Sequence, residues 1–506
     1  MTIQDIERRS YSAQLALRAA SDAGAIAVVL VSPDGVEREV TVGELESRCN
    51  RAAWHLLRSG IGPHSLVVVA LTNGATHLAT TLAAWRLGAC VLPMNPRLPA
   101  VEQRTILEVA ASWRPPYVVG PDDAIGHVDA TASELEDAVD EGRIPDRTPH
   151  PGKAIGSGGS TGRPKIIVDP APWTRAPGDF SNIAPVDVRA GEVQLVTGQL
   201  YHNTAFSLAH RGLFDDHRLI LMGRFDAEQA LELVERHRVS FMACVPTVLQ
   251  RMAKSPSFAS RDLTSIRSIY YTGGFAPDWM RIAWFEKVPP QRHFEAYGAA
   301  ENFGKCVIRG DEWLEHRGSV GRPVATELRV LDEELRPVSV GEVGEVYMRR
   351  VDLDSTFFYV GSTPPRATPD GLMTAGDLGY LDADGYLHLV DRRVDMIVTG
   401  GSNVYCAEVE QAITSHPSVL DAAVIGLPDP DWGRRVHAVV EPRSGVTTLT
   451  EGELDRHTRR LLAPHKVPKT WEFVDHLPRD ESGKLRRTAM LDARLAPSAA
   501  GKGSAT

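Results

Sequence analysis

No stretch of this 506-residue chain reaches the roughly 18 consecutive apolar residues that a membrane-spanning helix needs. Its longest apolar runs, Ala25–Val31 and Leu66–Leu71, have the length of strands. Cysteine is scarce: Cys49, Cys90, Cys244, Cys306 and Cys406 are far apart, with no C-x-x-C pair and no histidine cluster at metal spacing. That excludes a disulfide framework and a zinc site, and fits a reducing compartment. A basic excess is missing too, since 55 Lys and Arg stand against 65 Asp and Glu for a net charge of −10, so no nucleic-acid partner is expected. The opening Met-Thr-Ile-Gln-Asp-Ile-Glu carries acids where a signal peptide needs basic and then apolar residues. A cytoplasmic protein without an integral membrane segment is the expectation.

What is present is ordinary globular composition, 43% hydrophobic and 24% charged, in a chain long enough for about three domains' worth of core. Ala25–Val31 and Val36–Val40 flank Pro33-Asp34-Gly35 and predict a hairpin, and Val42–Gly60 has helical periodicity. Strand-like Leu66–Leu71, helix-like Ala75–Leu87, strand-like Ala89–Leu92 and helical Glu102–Ala110 then alternate as in a parallel sheet with crossover helices. The alternation returns at Leu219–Met222, Ala227–Arg236, Phe241–Val245 and Thr247–Ala253. Short strands over Leu328–Arg349 predict a small β region. Beyond a composition break near Asp391-Arg392-Arg393, helices at Ala407–Thr414 and Glu451–Leu462 and strands at Ala422–Ile425 and Val436–Val440 predict a separate α+β unit. The fold class is therefore α/β. A large N-terminal domain of βα-repeat sheets is expected over 1–392, a small C-terminal domain over 393–495 and a disordered tail over 496–506.

Ser157-Gly158-Gly159-Ser160-Thr161-Gly162-Arg163-Pro164-Lys165 holds three glycines, three hydroxyls and a lysine in nine residues. Glycines let backbone N–H groups converge on an anion, hydroxyls add donors, and lysine supplies a compact positive charge. A Walker loop would place Lys directly after its last Gly, whereas Arg163 and Pro164 intervene here. Read alone, the segment is either a polyphosphate cradle or a plain surface turn.

Six further segments accompany it: Tyr297-Gly298-Ala299-Ala300-Glu301, Gly318-Ser319-Val320-Gly321-Arg322-Pro323, Thr374-Ala375-Gly376-Asp377, Asp391-Arg392-Arg393-Val394-Asp395, Gly400-Gly401-Ser402-Asn403-Val404 and Pro478 through Arg487. Their order and spacing resemble the AMP-forming acyl-adenylate superfamily of acyl-CoA synthetases, adenylation domains and luciferases, over about Thr41 to Arg487. The resemblance implies a ligase that joins a carboxylate to the α-phosphate of ATP, expels pyrophosphate, and passes the acyl group to a thiol. ATP, Mg²⁺ and coenzyme A are the implied cofactors. Ser157, Gly159, Ser160, Thr161, Gly162 and Lys165 would hold the β- and γ-phosphates. Tyr297 and Gly298 would lie against adenine, and Gly273, Gly274 and Phe275 would bracket the nucleotide. Glu301 would bind Mg²⁺, and Asp377 and Arg392 the ribose hydroxyls. Lys484 would be the mobile catalytic lysine, Gly400 and Gly401 would border the CoA path, and Val394 would stand at the hinge. His202 matches a position beside the acyl pocket, though a structural histidine also fits.

Three positions depart from the family pattern. Gly158 replaces a usual hydroxyl, Ala300 a usual threonine, and Val394 a usual Asp or Lys. A neutral hydrogen bond contributes only about 0.5–1.5 kcal/mol net, so activity is expected to survive the first two. Thr204-Ala205-Phe206-Ser207 stands where amino-acid-activating relatives carry Phe-Asp, so the implied substrate is an apolar carboxylic acid. The Ser-Gly-Gly-Ser-Thr-Gly loop and Tyr201-His202-Asn203 look most similar to ligases for bulky acids of steroid or terpenoid type. The acceptor is expected to be free CoA, with a carrier protein as the alternative.

Overall fold

Apolar runs alternate with amphipathic stretches along the first two thirds of the chain, and each such pair buries its apolar faces as a strand and a crossover helix. The computed structural model describes residues 8–158, 164–180, 185–352, 357–392, 396–399, 402–443, 445–446, 448–479 and 485–495. It divides into two compact units: Met1–Gly273 with Met280–Leu328 and Met348–Met373, and Gly274–Trp279 with Arg329–Tyr347 and Thr374–Thr506.

The larger unit contains two mainly parallel sheets. In the first, Leu66–Val69 lies between Cys90–Pro93 and Pro116–Gly120, all parallel, and Lys153–Gly158 follows beside Cys90–Pro93. Pro164–Asp169 and then Phe358–Val360 complete that side as antiparallel strands. In the second sheet, Val193–Val196 lies between Arg218–Met222 and Phe241–Cys244, with Ser268–Thr272 and His293–Gly298 continuing beyond the latter and Ile26–Val31 beyond the former. In both sheets the strand order therefore reverses at one strand, Leu66–Val69 and Val193–Val196. Ligands of open α/β sheets bind outside the carboxyl ends of strands at such switch points.

Helices Val42–Arg58 and Ala75–Arg86 share one core with residues of both sheets, among them Val67, Val91, Val28 and Leu221. The second helix is apolar or buried on every side, as a helix packed all round should be. Its one strong charge, Arg86, is fully buried. The guanidinium donates to both Glu46 oxygens at 2.9 and 2.7 Å, to Ser12 Oγ at 2.7 Å and to Asn50 Oδ1. Removing one partner of a buried ion pair leaves an uncompensated charge, so Glu46→Ala is expected to destabilise this unit by about 3–5 kcal/mol. The urea midpoint should fall at an unchanged m value; an unaltered midpoint would contradict this.

Within the smaller unit, Asp377–Leu381 pairs antiparallel with Leu387–Arg392 across a turn that needs Gly385 at φ +79°. Farther along, Val419–Asp429 and Gly433–Pro442 form a long antiparallel ladder, joined by parallel Thr470–Phe473 and covered by helices Cys406–Thr414, Glu451–Arg459 and Arg487–Leu495. Both ladder strands run several residues beyond the apolar cores that sequence patterning picks out, because their polar ends keep pairing past the buried stretch. Thr470–Phe473 and Arg487–Leu495 lack an apolar run and escape that patterning. All five cysteines are free and buried, and no helix among the described residues is long and apolar enough to cross a membrane.

Candidate functional site

Ser157 and Lys165 are not loop residues. They face each other as Cα partners of the hairpin Lys153–Gly158 and Pro164–Asp169, so the connecting segment is confined to residues 159–163, outside the described residues. Pro164 opens its strand, where a missing N–H is tolerated. The Lys165 ammonium donates to Glu301 Oε1 at 3.0 Å and to the Tyr359 hydroxyl at 2.9 Å, and lies 4.0 Å from the Tyr359 ring centroid. Tyr359 in turn donates its hydroxyl to the same Glu301 oxygen at 2.6 Å. Residues from three distant segments thus meet at one carboxylate.

Glu301 reaches that point through a tight reversal after His293–Gly298, in which Asn302 takes the left-handed conformation at φ +56° and donates its N–H to Ala299 O at 3.0 Å. Two positions on, Gly304 is packed so closely that a Cβ would lie 2.5 Å from Met348 Cβ. Burial alone would raise the Glu301 carboxyl, but the Tyr359 hydroxyl and the Lys165 ammonium outweigh it and hold it below the ordinary carboxylate value. A hard, ionised oxygen ligand beside a compact cation matches the two components of a metal polyphosphate. The residues present therefore fit the implied ATP and Mg²⁺.

The other expected residues of this unit cluster at strand ends. Tyr297, half-buried, and exposed Gly298 close His293–Gly298, and Gly273 at φ +85° follows Ser268–Thr272. Gly274 and the half-exposed Phe275 fall in the smaller unit. His202 caps the start of helix Asn203–Phe214, with its ring edge-on to Tyr201 at 4.8 Å between centroids, and its loop follows the switch strand Val193–Val196. Asn73, just beyond the other switch strand, fixes that loop: its Oδ1 accepts from Leu200 N at 2.7 Å, and its Nδ2 donates to Gly198 O at 3.0 Å and Met222 O at 2.8 Å. Nothing in the sequence marks Asn73. Lys305, four residues after Glu301, also escapes motif reading; burial first, and then Arg350, push its amine down to about 8.

Within the smaller unit, the register sets Asp377 directly opposite Arg392. Thr374 prepares the turn before Asp377, its hydroxyl donating to buried Glu345 Oε1 at 2.9 Å and accepting from Gly376 N at 2.9 Å, with Gly376 at φ +84°. Lys484, Val394, Gly400 and Gly401 lie outside the described residues, as do Gly159, Ser160, Thr161 and Gly162. Both flanks of the Lys484 segment are pinned. Arg479 pairs with Asp421, Arg487 Nη2 donates to both Glu410 oxygens at 2.7 and 2.9 Å, and Arg479 and Leu485 form an antiparallel bridge.

Residues 15–354 match the family described as AMP-binding enzyme, and residues 408–484 match its C-terminal domain. A feruloyl-CoA synthase of Amycolatopsis sp is 32% identical over 461 residues, covering 88% of this chain and 92% of the relative. The o-succinylbenzoate CoA synthetase of Bacillus subtilis, solved with its acyl-adenylate intermediate, superposes with a TM-score of 0.77 at 25% identity over 96% of this chain and 98% of that one. The same synthetase solved with ATP and a magnesium ion has a TM-score of 0.77 at 25% identity, over 96% and 100%. With a family match across most of its length and relatives that align nearly end to end, the chain belongs to the AMP-binding enzyme family and is an AMP-forming acid–thiol ligase.

Proposed function

We propose that this ligase converts an aromatic carboxylic acid to its CoA thioester through an acyl-adenylate. The observation that carries the reading is the Lys165–Glu301–Tyr359 cluster, a ready partner for a metal polyphosphate, in a chain whose relatives are named for ferulate and succinylbenzoate. A carboxylate resists attack because it would have to expel an oxide. Joining it to the α-phosphate of ATP creates a mixed anhydride with AMP as the leaving group. The bond to pyrophosphate breaks as the acyl oxygen bonds to phosphorus, and the CoA sulfur then displaces AMP. Positioned charges carry most of such a phosphoryl step.

In this reading Lys165 and the hydroxyls and N–H groups of 157–162 bind the phosphates, Tyr297 and Gly273 to Phe275 hold the base, and Asp377 with Arg392 hold the ribose. Glu301 would hold Mg²⁺, which would supply positive charge to offset the phosphates. Lys484 contacts the acyl carboxylate and the α-phosphate. Gly400 and Gly401 border the thiol's path once the C-terminal domain, 393–495, has rotated about Val394. Domain closure keeps water from the anhydride. The acid lies at the switch point beside His202, at the start of the helix that carries Leu208 into a buried apolar cluster with Val186, Ala243 and Phe294. Apolar surface buried there contributes about 25 cal/mol per Å², which favours a planar ring over an acetate-sized acid. An α-ammonium would be penalised there for want of the acid that Phe-Asp supplies in amino-acid-activating relatives.

The test compares kcat/KM for ferulate, a benzoate, a bile acid, a diterpenoid acid and phenylalanine with ATP and CoA. Ferulate or the benzoate is expected to be at least about tenfold better than the rest, a difference of about 1.4 kcal/mol. Fastest turnover of the bile or diterpenoid acid would replace the aromatic reading by the bulky terpenoid or steroid one suggested by the loop resemblance. Fastest turnover of phenylalanine would overturn both. A carrier protein outcompeting CoA as acceptor would overturn the thiol assignment.

A further inference from the structure

We propose that Tyr359 is a positioning residue for Glu301 and Lys165, storing the metal ligand and the phosphate cation as a neutral pair whose opening is favoured when nucleotide and divalent ion arrive together. This rests on the reading of Glu301 as the Mg²⁺ ligand and Lys165 as a phosphate ligand. Phe358–Val360 pairs antiparallel with Pro164–Asp169 so that Tyr359 faces Ile167, two residues from Lys165 along the same face of the strand. Phe357 packs against the Tyr359 ring at 5.0 Å and against Phe303 at 6.2 Å, which fixes the tyrosine beside the Glu301 turn.

Tyr359 has a single hydroxyl proton, and it is committed to Glu301 Oε1 at 2.6 Å, while the oxygen accepts from Lys165 at 2.9 Å. The Lys165 and Glu301 side chains are only 19% and 10% exposed. If ATP alone drew Lys165 away, Glu301 would lose its counter-charge while largely buried. If the metal alone took Glu301, Lys165 would be left in the same state. Either single step is penalised, whereas the joint exchange gives each ion a new partner. Each ligand therefore raises the affinity for the other by an equal factor. The Tyr359 hydroxyl can stay on Glu301 through the exchange, keeping the carboxylate ionised and aimed while its other partner changes.

The experiment is calorimetric titration of the full-length protein with ATP in excess Mg²⁺ and in EDTA, for the wild type, Tyr359→Phe and Glu301→Gln. Wild type should bind ATP much more tightly with Mg²⁺ than in EDTA. Tyr359→Phe keeps the ring over Lys165 and loses only the hydroxyl, so the Mg²⁺-dependent gain should shrink about tenfold, the size expected for one hydrogen bond to a charged group. Its affinity in EDTA should stay within about twofold of wild type, which also verifies folding, because a merely structural role would weaken both conditions alike. A Tyr359→Phe gain equal to wild type, or an equal loss in both conditions, would overturn the proposal if Glu301→Gln abolishes the gain. A gain that also survives in Glu301→Gln would instead overturn the assignment of Glu301 as the metal ligand.

Discussion

Lys484→Ala will reduce acyl-adenylate formation by at least about 100- to 1000-fold, the range seen when one preorganised donor to a developing oxyanion is deleted, and will leave thioester formation from supplied adenylate nearly intact. The asymmetry follows from the lysine's proposed presence in the first half-reaction only. A contact made in one transition state alters that step's rate and no other. The described residues on either side of its segment are held by buried or half-buried ion pairs. Arg479 is tied to Asp421 and Arg487 to Glu410, whose carboxyl burial pushes up against the pull of Arg487. Single-turnover measurement of each half-reaction checks the prediction. Equal losses in both would show that Lys484 is not the mobile catalytic lysine.

Glu301→Gln will cut adenylation about 100-fold and raise the Mg²⁺ needed for half-maximal rate, while the affinity for the acid changes little. The amide preserves shape and removes the charge that attracts a divalent ion. It also leaves Lys165 without its carboxylate, at 3.0 Å in the native pair. Because Tyr359 and Lys165 hold the Glu301 carboxyl below its ordinary value of 4.5, the group stays ionised as pH falls to that value, and its own contribution is lost only below it. Wild-type rates should therefore show no Glu301 limb between pH 5 and 8 on that ordinary scale. An unchanged Mg²⁺ dependence in the variant would remove Glu301 from the metal site.

Much of the architecture was legible because it depends on local periodicity. The strand at Leu66, the buried helix at Ala75 and the helix at Ala227 end within a few residues of where apolar spacing puts them. Local pattern cannot report what a residue meets across the fold. Tyr359 lies 58 residues from Glu301 and 194 from Lys165, in a short edge strand without a motif, so only folding reveals the shared carboxylate. Asn73 and Lys305 escaped for the same reason, since an isolated polar residue looks alike whether it fastens two switch loops or faces water. Family resemblance alone links Asp377 with Arg392 in the sequence, through a shared sugar, whereas the strand register sets the two residues opposite each other. Glycines and hydroxyls over residues 157–165 suggest one loop, yet antiparallel pairing extends through Ser157 and Lys165.

The central claim is that the carboxylate is activated as an acyl-adenylate, and product analysis tests it most directly. Purified protein, ferulate, ATP and Mg²⁺, quenched after one turnover without CoA, should yield enzyme-bound feruloyl-AMP and one equivalent of pyrophosphate. Adding CoA should then convert that adenylate to feruloyl-CoA with one equivalent of AMP. ADP and phosphate in place of AMP and pyrophosphate, or thioester formed with no adenylate preceding it, would contradict the account.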